Sequence, residues 1–292
     1  MSNIFIFGLG YTALYFTKFA TDHGYHVTAT SRELHVKQIN AQNLNINDKK
    51  FEIINFNNKD KVIKNLSDSE YILVSVPPKD GHDLIFKEFN KEIIKNKNKI
   101  KWVGYLSSTG VYGNHDGAWV TEKSECKGDS SSNKARIAAE KEWMSLYENY
   151  NIPVHIFRIA GIYGPGRSVI DKIKSGKSHS IYKENQFFSR IHVKDIAGIL
   201  YASINNPTKG EIYNLSDDMP AASHEVDLYA AKLMSYPNLK IVNYKEANLS
   251  EMAKEFFSSN KKVSNAKVKE VLSYDFLFPN YEAGLINIFK KR

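Results

Sequence analysis

The 292-residue chain has one cysteine, few arginines and no long apolar run. Each shortage excludes a class of protein. Cys126 has no partner for an intramolecular disulfide or a Cys-rich metal site, which suits a reducing compartment. Its polar setting, Ser124-Glu125-Cys126-Lys127, points to a surface thiol rather than a nucleophile. Met1-Ser2-Asn3 carries no positive side chain, and Ile4–Phe7 is too short for a signal or a membrane span. That stretch reads as a buried first strand, and a cytoplasmic protein without a membrane partner is expected. The net charge of +8 comes without an aromatic-interleaved basic stripe, so no nucleic-acid partner is expected either. Six of the 40 basic residues are arginine: Arg32, Arg136, Arg158, Arg167, Arg190 and Arg292. In a chain that uses lysine wherever charge alone suffices, a guanidinium suggests a planar fork for phosphate or carboxylate. No P-loop, HExxH, EF-hand or GxSxG motif occurs, and no metal is expected.

What is present is a globular composition, 42% hydrophobic and 25% charged. The runs Ile4–Phe7, Tyr25–Thr30, Phe51–Phe56, Tyr71–Val76 and Trp102–Leu106 are short, β-rich and bounded by turn residues, with helical lengths between several of them. A helix over Ala135–Tyr150, then strands over Val154–Ile159 and Ile212–Leu215, continue the alternation. This pattern predicts an α/β fold: a Rossmann-type doubly wound parallel sheet with a smaller C-terminal substrate subdomain. The dinucleotide-binding domain is expected over 1–163 with return segments at about 190–217. The subdomain is expected over 164–189 and 218–292, where loop-rich sequence passes into Lys/Asn-rich helical patterns.

Gly8-Leu9-Gly10-Tyr11-Thr12-Ala13 is a GxGxxA turn placed directly after an apolar strand and before a helix that closes at Gly24. Such glycines allow a tight turn and close approach of backbone to a pyrophosphate, and the small Ala13 lets helix and strand pack. An NAD-preferring site would put Asp or Glu at the end of the second strand, whereas this chain has Thr30-Ser31-Arg32. A hydroxyl and a guanidinium suit a 2′-phosphate, so NADP is expected ahead of NAD; Glu33 next to them stands against that choice.

Leu106-Ser107-Ser108-Thr109-Gly110-Val111-Tyr112-Gly113 resembles the active-site strand of the extended short-chain dehydrogenase/reductases, the NAD(P)-dependent epimerase/dehydratase group. Arg158-Ile159-Ala160-Gly161-Ile162-Tyr163-Gly164-Pro165-Gly166 is similar to that family's arginine-led strand and YGPG turn, and Arg190-Ile191-His192-Val193-Lys194-Asp195-Ile196-Ala197 to its HVxDxA segment. Tyr213 to Asp218 and Val263 to Lys267 are similar to one atypical branch. The resemblance implies a Ser or Thr that orients a substrate oxygen and a Tyr-x-x-x-Lys pair that moves the proton. Ser108 matches the first. Alignment on Ala138-Ala139-Glu140-Lys141 puts Ser132 at the tyrosine position and Arg136 at the lysine position. A serine hydroxyl is a far weaker acid than a phenol, and arginine stays protonated. The other Tyr-x-x-x-Lys match, Tyr236 to Lys240, contains Pro237, which breaks a helical face.

Together these readings assign Ser108, Ser132 and Arg136 to catalysis. They assign Gly8, Gly10, Tyr11, Ser31, Arg32, Phe56, Val76, Pro77, Ser107, Arg136 and Gly161 to the cofactor, and Ser108, Arg167 and Arg190 to a small or nucleotide-linked substrate. His192 and Asp195 read as structural, and Tyr112, Tyr163 and Lys134 as packed or solvated rather than as substitute donors. An NADP-dependent oxidoreductase or epimerase is the expected function, with a catalytically silent NADP-binding sensor or scaffold as its rival. The sequence does not fix the oligomeric state, a homodimer included.

Overall fold

A computed structural model describes residues 2–46 and 48–290; Met1 and Arg292, on which two of the sequence readings touch, lie outside the described residues. The strands are β1 (Asn3–Phe7), β2 (His26–Ser31), β3 (Phe51–Asn55), β4 (Tyr71–Val74), β5 (Trp102–Ser108), β6 (Trp119–Val120), β7 (Val154–Ile159), β8 (Gly161–Tyr163), β9 (His179–Tyr182), β10 (Arg190–His192), β11 (Glu211–Leu215), β12 (Lys240–Asn243) and β13 (Lys262–Val263). The helices are α1 (Tyr11–Asp22), α2 (Leu34–Asn43), α3 (Lys59–Ser67), α4 (Leu84–Lys95), α5 (Ser131–Tyr150), α6 (Val169–Lys174), α7 (Val193–Asn205), α8 (Ser223–Leu233), α9 (Glu251–Ser258), α10 (Ala266–Leu272) and α11 (Tyr281–Lys290).

Seven strands form one sheet in the order β11-β7-β5-β4-β1-β2-β3, and every pair is parallel. Both faces are covered, which is why the strands read as continuous apolar runs. Alternate residues serve opposite cores: Ile4 and Ile6 pack with Leu14, Phe16 and Ile196 of α1 and α7, while Phe5 and Phe7 pack with Ile85, Phe89 and Trp143 of α4 and α5. A side chain of this size contributes about 1.5–3 kcal/mol when fully buried. The strand order reverses between β1 and β4, so the carboxyl ends of these strands open the crevice in which such folds hold ligands.

Three expectations need correction. The α5 helix begins at Ser131, four residues before the expected Ala135, because Ser130 caps it by accepting the Asn133 N–H at 3.2 Å. β3 and β4 end at Asn55 and Val74, so Phe56 and Val76 follow their strands rather than end them. The region after Gly161 also holds short parallel pairs, β8 with β10 and β9 with β12, and its β13 pairs back with β6. A third core joins Tyr163, Ile170, Ala230 and Leu285, whereas Val268 and Leu272 of α10 return to the core of α1 and α7. No helix among the described residues is long and apolar enough to cross a membrane.

Candidate active site

The turn after β1 is built around Gly8. Its φ of +85° is one that side-chain-bearing residues rarely adopt, and a Cβ there would lie 2.6 Å from Cγ2 of Val76. Gly8 N–H donates to Thr30 Oγ1 at 2.9 Å and Leu9 N–H to the Thr30 carbonyl at 3.0 Å, which ties the turn to the end of β2. Gly10 caps α1 without any side-chain bond, and no acidic residue occupies the first turn. The first amides of this twelve-residue helix, its positive end, are therefore left without a side-chain cap. Tyr11, assigned above to the cofactor, donates its hydroxyl to the Pro165 carbonyl at 3.0 Å and so joins the glycine turn to the Gly164–Arg167 turn.

At the end of β2, the Ser31 hydroxyl accepts the Glu33 N–H at 3.0 Å, and Arg32 is exposed. Phe56 carries the Lys59 ammonium 3.8 Å above its ring and sits edge-on to Phe89. Gly8, Gly10, Tyr11, Ser31, Arg32, Phe56 and Val76 thus follow the carboxyl ends of β1 to β4, outside the walls of the large cleft described next.

That cleft, about 1160 Å³, lies between the sheet and the smaller lobe. It brings together Pro77, Ser107, Ser108, Ser132, Arg136 and Gly161 from the sheet side with Arg167 and Arg190 from the other. Ser108 ends β5 and caps the 3₁₀ turn Thr109–Tyr112 by accepting the Gly110 N–H at 3.1 Å. Ser132 is exposed on the first turn of α5, and Arg136, one turn on, reaches the Leu106 carbonyl at 3.4 Å. Arg190 donates to the carbonyls of Phe188 and Ala221, both at 2.8 Å.

Ser107 lines the cleft, but its hydroxyl is engaged behind the strand. Its hydroxyl donates to Glu140 Oε1 at 2.5 Å, inside a buried network in which Arg158 grips both Glu140 oxygens at 2.7–3.1 Å. Arg158 Nη1 also reaches the Tyr112 hydroxyl at 3.0 Å, and that hydroxyl donates to Asn214 Oδ1 at 2.6 Å. Burial pushes the Tyr112 phenol up to about 12, which makes it a poor proton source. Tyr163 donates to the Asn280 carbonyl at 3.2 Å, and Lys134 is exposed. Asp195 accepts from the Tyr274 hydroxyl and from the amides of Leu277 and Phe278. Tyr236 to Lys240 runs through the connection from α8 to β12, on no common helical face. Cys126 is half-buried beside Val111 and Val120 rather than on the surface, and burial raises its thiol pKa.

Sequence reasoning passed over Lys261, Ser259, Phe256 and Asp227, all in the cleft wall. One lysine among so many carries no mark of burial in the sequence. The available signal was its place two residues before the Val263–Lys267 motif.

Three kinds of likeness bear on this geometry. The model of the NAD dependent epimerase/dehydratase family matches residues 92–216, the stretch holding Ser108, Ser132, Arg136 and Arg190. Protein YeeZ of Escherichia coli K12 is 26% identical over 158 residues, 51% of this chain and 54% of that one, so the match spans about half of each. A conserved protein of unknown function from Silicibacter pomeroyi is 35% identical over 100% of this chain and 99% of that one, with a TM-score of 0.91. The dTDP-glucose 4,6-dehydratase of Bacillus anthracis, solved in complex with NAD, shares the fold at 15% identity, covering 99% and 96% of the two chains with a TM-score of 0.80. With its parallel seven-stranded sheet and its glycine turn, the chain has the fold of the epimerase/dehydratase structures, and its segment 92–216, around Ser108, matches the NAD dependent epimerase/dehydratase family.

Proposed function

We propose that the chain is an NADP(H)-dependent oxidoreductase or epimerase acting on a small or nucleotide-linked hydroxyl or carbonyl substrate. The observation that carries this reading is one cleft lined by Ser108, Ser132, Arg136, Arg167 and Arg190 at the carboxyl ends of a parallel sheet. The residues fit the cofactor: α1 offers amides without a side-chain cap and has no acidic residue in its first turn, and the backbone at Gly10 is bare, with Ser75 Oγ 3.9 Å from where a Cβ would stand. Gly8, Gly10 and Tyr11 would hold the pyrophosphate end, Ser31 and Arg32 the 2′-phosphate, and Phe56, Val76, Pro77, Ser107, Arg136 and Gly161 would line the remainder. When bound, the nicotinamide supplies a hydride donor or acceptor. Ser108 then orients the substrate oxygen and Arg136 holds an oxygen of the ribose or substrate, while Arg167 and Arg190 bind acidic parts of the substrate. Residues 1–163 with 190–217 serve the cofactor, and 164–189 with 218–292 serve the substrate.

The rival reading, a silent NADP-binding protein, draws on a specific observation: the exposed Ser132 hydroxyl stands where a phenol is needed. Melting temperatures measured with NADP(H) and NAD(H) titrated separately test the common ground. Ligand at a hundred times its dissociation constant adds about 2.7 kcal/mol to stability. A rise with NADP(H) at lower concentration than with NAD(H) is expected, and no rise with either defeats both readings. A panel of carbonyl compounds then separates them, since turnover lost in Ser108→Ala with NADPH affinity retained identifies the enzyme.

A further inference from the structure

Lys261 is a lysine that solvation does not explain. It is 9% exposed, and it lines the cleft. Its Nζ donates to the Gly113 carbonyl at 3.0 Å and to Ser259 Oγ at 2.5 Å, which uses two of the three N–H bonds of an ammonium. Among the described residues no carboxylate pairs with it, and burial alone lowers its pKa to about 8. A buried cation without a counter-ion is costly, and an anion brought by a ligand would offset that cost.

The surroundings favour such a ligand. Besides Lys261, the cleft wall holds Arg136, Arg167, Lys172, Lys177 and Arg190 against two carboxylates, Asp227 and Glu255. Asp227 is already engaged by Lys177 and Ser180, and Glu255 is exposed. The field in the cleft is therefore positive.

We propose that Lys261 recognises a carboxylate of the substrate, bound on the same wall as Ser108. One free N–H on a compact charge suits a carboxylate, whereas a phosphate dianion calls for several converging donors or a guanidinium fork. The position limits the ligand further. Gly113, which anchors the amine, directly follows the 3₁₀ turn that Ser108 opens. At about 2 Å of rise per residue, that four-residue turn is roughly 8 Å long. A short carbon chain spans such a length, so the substrate class is a small hydroxy or oxo acid. This assignment rests on the proposed site, with Ser108 as its reacting end.

The test is the melting temperature of the full chain, with and without saturating NADPH, as malonate is titrated. Malonate should stabilise the wild type, and Lys261→Met should raise the concentration needed by about tenfold or more, the size expected for loss of a charged hydrogen bond. Lys261→Arg should recover part of the loss, and inorganic phosphate at equal concentration should stabilise less than malonate. A Lys261→Met protein that responds like the wild type overturns the proposal, as does phosphate acting more strongly than malonate. Should the variants not fold, amine labelling of the wild type followed by mass spectrometry decides. Malonate should then slow modification of Lys261 and leave the exposed Lys254 unchanged, and equal labelling of Lys261 with and without malonate overturns the proposal. Because the titration is repeated without cofactor, failure to bind NADP(H) and failure to bind malonate are read separately.

Discussion

Two buried polar regions flank the cleft, and they are built on opposite rules. Behind β5, Glu140, Arg158, Tyr112 and Ser107 satisfy one another: the ion pair is 2.7 Å long and its side chains are 6% and 8% exposed. On the smaller lobe's side, among the described residues, Lys261 has no carboxylate partner and Asp217 buries Oδ2 without a hydrogen-bond partner. A closed network holds β5, α5 and β7 in register behind Ser108 but has no bonding capacity left for a ligand. Groups buried short of a partner cost stability, and their retention beside a cleft is the pattern expected of a binding site.

The largest effect expected from breaking this contrast lies in the closed network. Removing one partner, as in Glu140→Gln or Arg158→Met, leaves the other charge buried alone and should cost about 3–5 kcal/mol in denaturant unfolding. An effect below about 1 kcal/mol would show the network to be solvated.

Asp217 sharpens the other side through pH. Its N–H donates to the Arg190 carbonyl at 2.6 Å and one carboxylate oxygen accepts the Met219 N–H, yet burial still raises its pKa to about 8. A carboxyl raised in the folded state binds its proton more tightly there than in the unfolded chain. Its contribution is complete below the unfolded value, near pH 4, and is lost as pH rises to about 8. Asp217→Asn should remove this slope and gain stability over the wild type at pH 8, on the order of 2–3 kcal/mol. Parallel pH profiles for the two proteins would show that Arg190 already keeps Asp217 ionised.

Arg32 tests the open rule at the cofactor end, where an exposed guanidinium follows β2 beside the Ser31 turn. Arg32→Ala should weaken NADPH by roughly 10- to 100-fold, from one or two charged hydrogen bonds, and NADH by less than about twofold. Equal losses in calorimetric titration would remove the 2′-phosphate from its role. The backbone N–H of Glu33 donates to the Ser31 hydroxyl.

The same contrast explains how far the sequence could be read. The central strands were legible because a strand buried on both faces is largely apolar, and the bounds of all seven sheet strands shift by at most two residues. Gly8 was legible because its positive φ and its contact with Val76 exclude a side chain. The start of α5 was not, since the polar run Asp129 to Asn133 reads as a loop until the Ser130 cap is seen. The short pairs β8 with β10 and β9 with β12 have too few residues to show alternation. Ser107 and Ser108 are adjacent and alike in sequence, but strand pleating sends one hydroxyl to Glu140 and leaves the other at the cleft. Lys261 acquires meaning only when the backbone carries it from solvent into a wall.

The smallest stability effects belong to the two serines of the cleft, and they divide its chemistry. Ser108 caps the 3₁₀ turn, so Ser108→Ala should cost about 1 kcal/mol of stability. Ser132 is exposed, and Ser132→Ala should change stability by less than about 0.5 kcal/mol. If Ser108 orients the reacting oxygen, its loss should lower kcat/KM by about 100-fold or more, in line with loss of a preorganised donor. Ser132→Ala should lower it far less, because a hydroxyl in open solvent transfers a proton little better than the water that replaces it. A large loss in Ser132→Ala alone would reverse these assignments and make the first turn of α5 the source of the proton.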